Sequence, residues 1–420
     1  MSELSYLEKL LDGVEVEWLP LGELGELVRG NGLPKSDFTE SGVPAIHYGQ
    51  IYTFYGLSTE TTKSFVSHET AKKLKKVNSG DVVITNTSEN FTDVGKALVY
   101  LGKEQAVTGG HATIFKPNST IIGKYFAYFT QTDSFANEKR KYSKGTKVID
   151  VSASDMAKIT IPIPCPGNPE KSLAIQSEIV RILDKFTALT AELTAELNMR
   201  KKQYNYYRDQ LLSFKEGEVE WKTLGEIGHF TRGKRFVKTD MLSEGYPCIH
   251  YGEMYTYYNV WTNKTKSFVS QELASKLRVS EYGDVIIVAA GETIEDIGKG
   301  TAWLGKSNVV FHDACFSYRC LLNPKYIAYF TRTKIFHDQI KKHISSGKIS
   351  AINANGLSKV KIPMLSAKEQ ARIVEILDKF DTLTNSITEG LPSEIELRQK
   401  QYEYYRDLLF SFPKPETVSN

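Results

Sequence analysis

The chain contains two copies of one sequence pattern, and this duplication constrains the fold more than any other feature. His47-Tyr48-Gly49 recurs as His250-Tyr251-Gly252, and Leu101-Gly102-Lys103 recurs as Leu304-Gly305-Lys306, at one constant offset of 203 residues. The repeating units of solenoids and propellers are only about 20–50 residues long. The pattern therefore indicates a duplicated domain, and it predicts two similar binding surfaces on one chain.

Composition places the chain among ordinary globular proteins. Its 420 residues allow two or three domains with real cores, and 41% of them are apolar while 25% are charged. No apolar run reaches the roughly 18 residues of a membrane span, and the N-terminus lacks the apolar region of a signal peptide. We therefore expect a cytoplasmic protein without a membrane partner. The net charge of +3 is only weakly basic, so DNA binding would require clustered basic residues.

The motifs of catalysis and metal binding are missing. There is no Asn-Pro-Pro-aromatic motif of a DNA methyltransferase, no P-loop and no HExxH sequence. The four cysteines are too few and too irregularly spaced for a disulfide framework or a zinc site, and we expect buried thiols. His111, His250 and His312 are isolated from any obvious catalytic partner. We expect no catalytic residue and no metal site, which favours a binding protein over an enzyme.

Each repeat predicts the same series of elements. Alternation in residues 45–56 and 248–259 predicts strands bounded by glycine turns. Ser67 and Ser270 are each expected to cap a short helix, and the Gly-Asp-Val motifs at Gly80 and Gly283 each introduce a buried strand. A helix, a glycine-bearing loop and an edge strand ending in Ile-Pro complete the repeat. The fold class is therefore mixed α/β.

Long helices are predicted after each repeat. Apolar residues at Ile175, Ile179, Ile182 and Phe186 follow the alternating spacing of a coiled-coil seam. The sequence Thr-Ala-Glu-Leu occurs twice in succession at residues 190–197, inside this helix. The second helical segment is interrupted near Gly390, so we expect one continuous helix in the first copy and two helices in the second. The seams most simply pack on each other as an antiparallel coiled coil.

The N-terminus begins in the middle of a repeat unit. Residues 5–18 resemble residues 206–221, which precede the second repeat. We therefore expect residues 1–17 to pack near the C-terminal helix. The resulting expectation is two similar globular domains separated by long helices, in a circular arrangement with pseudo-two-fold symmetry.

These motifs resemble the specificity subunit of type I restriction-modification systems. The resemblance rests on the shared IVxILDKF motifs (Ile179–Phe186, Ile373–Phe380) and QYxYYRDxL motifs (Gln203–Leu211, Gln401–Leu409). The tandem Thr-Ala-Glu-Leu resembles the type IC branch. The resemblance implies a non-catalytic subunit that binds double-stranded DNA together with two methyltransferase subunits and with restriction/translocase subunits. S-adenosylmethionine, ATP and Mg²⁺ would belong to those partners, and this chain would bind no cofactor.

The resemblance also implies a division into segments, two of them variable target-recognition domains. We expect an N-terminal conserved segment at 1–17, recognition domain 1 at 18–164, a central helical spacer at 165–216, recognition domain 2 at 217–364, a C-terminal helical spacer at 365–412 and a tail at 413–420.

Residues that could contact DNA occur at matching positions of both repeats. Lys and Arg neutralise phosphates, hydroxyl groups set register, and Asn can read an adenine edge. A solvated loop, or for the aromatic block a core position, is the alternative interpretation at each place. The candidates are, in the first repeat, Arg29, Asn31, Lys35, His47, Tyr48, Gln50, Asn86, Thr87, Lys141, Lys144, Thr146 and Lys147, and, in the second, Arg232, Lys234, Arg235, His250, Tyr251, Glu253, Lys341, Lys342, Ser346 and Lys348.

The helical motifs are better suited to scaffold and partner contacts than to DNA. The candidates for a partner interface are Arg200, Lys201, Tyr204, Tyr207, Arg208, Arg398, Tyr402, Tyr405 and Arg406. Two other functions stay open. A tandem adaptor that binds only proteins would show no salt-dependent DNA affinity, and a self-contained methyltransferase would bind S-adenosylmethionine by itself.

Overall fold

A computed structural model describes residues 10, 13–215, 217–291, 293–347 and 349–413. The chain divides into two compact units, Met1–Ala191 with Leu397–Asn420, and Glu192–Glu396. Each unit contains one mixed α/β domain and part of the helical segments, so the predicted fold class and duplication are confirmed.

The first unit's domain consists of short strands and helices. They are, numbered along the chain, β1 Val16–Pro20, β2 Gly25–Arg29, β3 Phe38–Thr39, β4 Val43–Ile46, α1 Tyr48–Thr53, β5 Ser58–Thr59, β6 Ser64–Val66, α2 His68–Lys73, β7 Lys75–Val77, β8 Val82–Thr85, β9 Thr87–Ser88, β10 Ala97–Tyr100, β11 Ala106–Thr108, β12 Ala112–Pro117, α3 Gly123–Phe129, α4 Asp133–Tyr142, β13 Ile149–Asp150, α5 Ala153–Met156 and β14 Thr160–Pro164, with short 3-10 helices at Leu21–Glu23 and Lys35–Asp37.

Two five-stranded sheets form the body of this domain, in the orders β2-β12-β8-β10-β5 and β3-β6-β4-β11-β7. The central strand β8 is buried at all four positions. A short run of β-branched residues is typical of a strand that is covered on both faces. Helix α3 covers this sheet and contributes Tyr125, Phe126 and Phe129 to the core. The predicted buried strand and the helix after it are confirmed.

The second unit repeats this architecture. Its elements are β15 Glu220–Thr223, α7 Leu224–Ile227, β16 Gly228–Arg232, β17 Tyr246–Ile249, α8 Tyr251–Thr256, β18 Trp261–Thr262, β19 Ser267–Val269, α9 Gln271–Ala274, β20 Val279–Ser280, β21 Val285–Val288, β22 Ala290–Gly291, β23 Gly300–Trp303, β24 Val309–Phe311, β25 Cys315–Cys320, α10 Pro324–Phe330, α11 Lys334–Lys341, β26 Ser350–Ala351, α12 Ala354–Ser358 and β27 Lys361–Met364, with 3-10 helices at Lys238–Asp240 and Ile294–Asp296. The sheets run β16-β25-β21-β23-β18 and β19-β17-β24-β20.

The aromatic blocks are helices, so the prediction of strands there is wrong over most of their length. Only their first residues belong to strands β4 and β17, and α1 and α8 follow directly. His47 stops the strand because its Nδ1 accepts the Gly49 N–H over 3.1 Å and so caps α1. His250 caps α8 in the same way, with Gly252 donating over 3.2 Å. Periodicity over six residues does not separate a helix from a strand.

The serine caps are confirmed in both domains. The Ser67 hydroxyl accepts the Thr70 N–H at the start of α2, and the Ser270 hydroxyl accepts the Leu273 N–H at the start of α9. Each side chain satisfies a backbone donor that the helix itself leaves unpaired.

The long helices agree with the sequence prediction. α6 runs without a break from Pro169 to Leu211, whereas the second segment is split into α13 Ala367–Asn385 and α14 Leu391–Leu409. Within the first unit, the Phe186 ring of α6 stacks on Tyr405 of α14, with centroids 5.2 Å apart. Within the second unit, Tyr207 of α6 stacks on Phe380 of α13 at 5.6 Å. The earlier half of α6 contacts the later helix, as antiparallel pairing predicts.

The two ends of the described chain meet in the first unit. β1 pairs antiparallel with β14, and the Trp18 indole N–H donates to the Pro413 carbonyl over 2.9 Å. Leu10 and Val14 pack against a core that includes Leu409. The prediction that the N-terminal segment packs near the C-terminal helix is confirmed for its described residues. No helix in the described ranges is long and apolar enough to cross a membrane.

Candidate nucleic-acid interface

In the first domain, segments distant in sequence form one surface. The Arg29 Nε atom donates to the Gly110 carbonyl over 3.1 Å, and the guanidinium lies 3.7 Å from the Asp150 carboxylate. Strand β13 pairs with β9, which places Asp150 opposite Thr87. The opening turn, the residues after the central strand and the end of the glycine-bearing loop are therefore adjacent. The Asn31 amide ties the turn to the end of α2, because it donates to the Lys73 carbonyl over 2.6 Å.

An aromatic and imidazole cluster borders this surface at the start of α1. The Tyr48 ring centroid lies 4.6 Å from that of His47 and 4.7 Å from that of His111. The Thr87 hydroxyl lies 2.9 Å from His111 Nδ1, and the Tyr52 hydroxyl donates to the Thr87 carbonyl. Flat rings beside polar atoms can stack on a base or hydrogen-bond to its edge.

Electrostatics favour the uncharged form of the His47 imidazole. Burial, followed by the positive charge of Lys35 and the nearby His111, lowers the pKa of His47. A neutral imidazole is also what the helix cap requires, because Nδ1 must accept the Gly49 N–H. The site therefore combines the uncharged His47 ring and the Tyr48 ring with cations such as Lys35, which is exposed in its 3-10 helix.

The second domain builds the same arrangement from partly different residues. Arg232 Nε donates to the Asp313 carbonyl over 3.1 Å, and Lys234 donates to the Lys276 carbonyl over 2.7 Å. The His250 ring lies 4.6 Å from Tyr251 and 4.7 Å from His312. Burial, with His312 and Lys238 nearby, lowers the pKa of His250 to about 4.

A cavity of about 650 Å³ opens at this cluster. It combines two cationic side chains and the two carboxylates Asp296 and Asp313 with imidazole and phenol rings, so it offers stacking surfaces together with hydrogen-bond donors and acceptors. Its lining includes Arg235, Lys238, His250, Tyr251, Tyr255 and His312.

Among the predicted contact residues, Asn86, His250 and Glu253 are buried and Gln50 is half-buried. Asn86 is fully buried, and its Oδ1 accepts the Thr113 hydroxyl over 2.8 Å. Gln50 donates to Ser64 on strand β6. In the second domain the buried Glu253 accepts a hydrogen bond from Ser267, which is the equivalent of Ser64. This placement contradicts surface roles for Asn86 and Glu253. The helix, which the sequence did not predict, is the reason that positions 50 and 253 are directed toward a neighbouring strand.

The basic run is only partly available for phosphate contacts. Lys139, at its start, is buried, donates to the Phe91 and Val94 carbonyls, and has its pKa lowered by burial to about 8. Lys141 pairs with Glu138 at 2.8 Å and Lys144 with Asp155 at 2.8 Å. Thr146 and Lys147 are exposed, as are Lys341, Lys342 and Ser346 in the second domain. The predicted Lys348 lies outside the described residues.

His111 and His312 join the two ring clusters but are not among the contact residues predicted from the sequence. They complete equivalent clusters, although His111 aligns with Ala314 and His312 with Gly109 when the repeats are matched. A residue-by-residue comparison of the repeats therefore misses them. The sequence signal that could have found them is their place just before a core strand: His111 lies one position before β12, and His312 lies three positions before β25.

Comparison with known proteins gives the family. The profile of the family described as "Type I restriction modification DNA specificity domain" matches residues 13–200 and 216–397. The chain belongs to this family. The EcoR124I/EcoR124II specificity subunit of Escherichia coli is 44% identical over the full length of both chains. The EcoprrI specificity subunit of Escherichia coli is 34% identical over 93% of each chain.

Two solved structures share the fold. A chain from a study of the assembly and conformational transition of the type I R-M system has a TM-score of 0.61 at 16% identity, with 94% of this chain and 97% of that chain covered. The S subunit of M. genitalium has a TM-score of 0.52 at 15% identity, with 96% and 98% covered.

The helical motifs of this specificity-family chain place their tyrosines on two sides. Tyr204 and Tyr402 are buried, which contradicts their predicted role as partner contacts. Tyr204 stacks on Phe380, and Tyr402 donates to Gln131. Tyr206 and Tyr404, which hold equivalent positions and were not predicted, are 61% and 55% exposed.

The remaining interface candidates lie around these tyrosines. Tyr405 and Tyr207 are the stacking residues of the two helix pairs, and Tyr207 is still 46% exposed. The arginines form local contacts along their own helices: Arg200 with Glu196, Arg208 with Asp209, Arg398 with Gln401 and Arg406 with Asp407. Lys201 is exposed. In the ranges that the structure describes, no group of three metal-ligating side chains comes together.

Proposed function

We propose that this chain is the DNA sequence-specificity subunit of a type I restriction-modification complex, in which each globular domain reads one half of a bipartite DNA site. The observation that carries the proposal is that one surface is built twice. Both copies have an arginine turn, an imidazole-tyrosine cluster and the end of a glycine-bearing loop next to each other. Two equivalent readers on one chain suit a target with two halves.

Within each half, the chemistry divides between phosphate and base contacts. The exposed cations Lys35 and Lys147, and Arg235 in the second domain, suit phosphates, whose neutralisation supplies affinity without sequence preference. The ring clusters around Tyr48 and Tyr251 carry donors and acceptors that can discriminate base edges. The first cluster has Thr87 where the second has Ala290, so the two halves of the DNA target need not share every base.

The helices supply spacing and partner contacts rather than recognition. α6, α13 and α14 set the gap between the two half-sites, and the repeated exposed tyrosines Tyr206 and Tyr404 provide equivalent positions for two methyltransferase subunits. The chain itself contributes no catalytic group. Methylation, with S-adenosylmethionine, and restriction, with ATP and Mg²⁺, are functions of the methyltransferase and restriction subunits that it directs.

A domain exchange tests this function. Residues 18–160 are replaced by the corresponding segment of another family member, and DNA methylated by the complex with methyltransferase subunits is sequenced. We expect one half of the target to change while the other half and the gap stay the same. Alteration of both halves would refute the modular proposal. Salt-independent or absent DNA binding by the unaltered complex would favour the protein-only adaptor.

A further inference from the structure

Two sequence motifs shared by the repeats form a single joint in each unit. In the first unit, Lys124 Nζ lies 2.8 Å from Asp184 Oδ2, and the Tyr128 hydroxyl donates to Asp184 Oδ1 over 2.7 Å. The lysine and tyrosine belong to α3 of the globular domain, and the aspartate belongs to the IVxILDKF motif of α6. The joint therefore connects the domain to its spacer helix.

The second unit contains the same joint. Lys325 Nζ lies 2.7 Å from Asp378 Oδ2, and the Tyr329 hydroxyl donates to Asp378 Oδ1 over 2.7 Å. Burial raises the pKa of Tyr329 far above its usual value, so its hydroxyl remains a donor at every physiological pH. We call the Lys-Tyr-Asp groups, Lys124–Tyr128–Asp184 and Lys325–Tyr329–Asp378, the domain clamps.

A second polar anchor lies eight positions earlier on each spacer helix. The buried Gln176 side chain accepts the Ile122 N–H and donates to the Thr120 carbonyl, both over 2.9 Å. The buried Gln370 accepts the Asn323 N–H over 2.8 Å. Eight residues correspond to about 12 Å along a helix and slightly more than two turns. Each spacer helix is thus held to its domain at two points on one face.

Two directional contacts of this kind determine the angle of a helix as well as its position. Between the anchors, Ile179 and Leu183 in one unit and Ile373 and Leu377 in the other are buried in the core. Apolar packing of this kind is non-directional, so by itself it allows sliding and rotation. Hydrogen bonds are restricted in both distance and angle. The polar anchors therefore define one orientation of the domain on its helix.

We propose that Asp184 and Asp378 are positioning residues, which orient each recognition domain on its spacer helix so that only DNA with one gap length is read. This inference rests on the proposed function. It deepens that function because it separates the choice of gap from the choice of bases. The bases would be chosen by the ring clusters, and the tolerance for a wrong gap would be set by the clamps.

The test uses the full chain in complex with its methyltransferase subunits. Methylation rates are measured on DNA that carries both half-sites with the native gap and with gaps one or two base pairs shorter or longer. The variants are Asp184→Asn, Asp378→Asn and Tyr128→Phe, which keep the shape of the side chain. Lys185→Gln and Lys379→Gln are matched controls, because these exposed neighbours lie next to the aspartates on the same helices. Thermal unfolding of each complex checks folding.

We expect the ratio of native-gap to wrong-gap rates to fall about tenfold in the clamp variants, as befits the loss of a charge-assisted hydrogen bond. The base preference of both half-sites and the behaviour of both controls should not change. An unchanged ratio would overturn the inference. So would an equal fall at every gap, which would indicate a purely structural role. Absence of any site-specific methylation by the unaltered chain would overturn the proposed function as well.

Discussion

Insertion of a third Thr-Ala-Glu-Leu after Leu197 should widen the gap between the half-sites. The insertion point lies in a part of α6 where every residue from Asp184 to Gln203 is exposed or half-buried. The division between the two compact units also falls here, between Ala191 and Glu192. Leu183 and Tyr204, the nearest buried residues, belong to separate cores. Additional residues in this stretch therefore disturb neither core.

The size of the effect follows from helix geometry. Four residues add about 6 Å and rotate the following helix by about 40° beyond a full turn. B-DNA rises about 3.4 Å per base pair and has about 10–10.5 base pairs per turn. The translation matches nearly two base pairs and the rotation about one. We expect a gap wider by one or two base pairs, with both half-site sequences retained. The non-helical residues 386–390 between α13 and α14 offer a place for compensating extension.

Methylation mapping of the insertion variant measures the gap directly. A variant in which residues 194–197 are replaced by four other helix-forming residues is the matched control, and its gap should not change. Insertion of two alanines rotates the helix by about 200° and should abolish site-specific methylation. An unchanged gap in the variant with the four-residue insertion would refute the reasoning, because the length of α6 would then not set the distance between the half-sites.

Three further predictions concern the recognition domains. Replacement of Lys141, Lys144 and Lys147 by Ala should weaken binding to all DNA sequences. It should also reduce the slope of log K against log salt concentration by about 0.9 for each phosphate that the variant no longer neutralises. An unchanged slope would show that these lysines are solvated and do not contact DNA. The half-sites should be related by an imperfect inversion, with differences arising at Thr87 and Ser88 against Ala290 and Gly291; sequences with no common bases when one is read on the opposite strand would contradict this. Because the pKa of His250 is about 4 in the fold and about 6.5 in the unfolded chain, the unfolded state binds more protons between these values. Stability should therefore fall as pH falls from 6.5 to 4, and His250→Asn, which keeps a capping side chain, should lose less stability in thermal unfolding over this range than the unaltered chain.

The duplication, the mixed α/β class and the continuous and interrupted helices could all be predicted from the sequence alone. These properties follow from features that are local or periodic. Buried strands such as Val82–Thr85 are short β-branched runs, Ser67 and Ser270 are strong helix caps, and the seam of α6 repeats at coiled-coil spacing. Such signals need no knowledge of distant neighbours. The family resemblance, carried by the helical motifs, followed from the same local patterns.

Tertiary structure decided which of the candidate side chains reach the surface. Asn86 and Glu253 lie inside because Thr113 and Ser267, distant in sequence, supply their hydrogen bonds. His111 joins the ring cluster of its domain only because β12 runs beside the central strand. Tyr204 and Tyr206 belong to one helix and one motif, but Tyr204 packs against Phe380 from another helix whereas Tyr206 is exposed. A contact between distant segments has no signature in either segment alone, which is why the clamps became visible only in the folded chain.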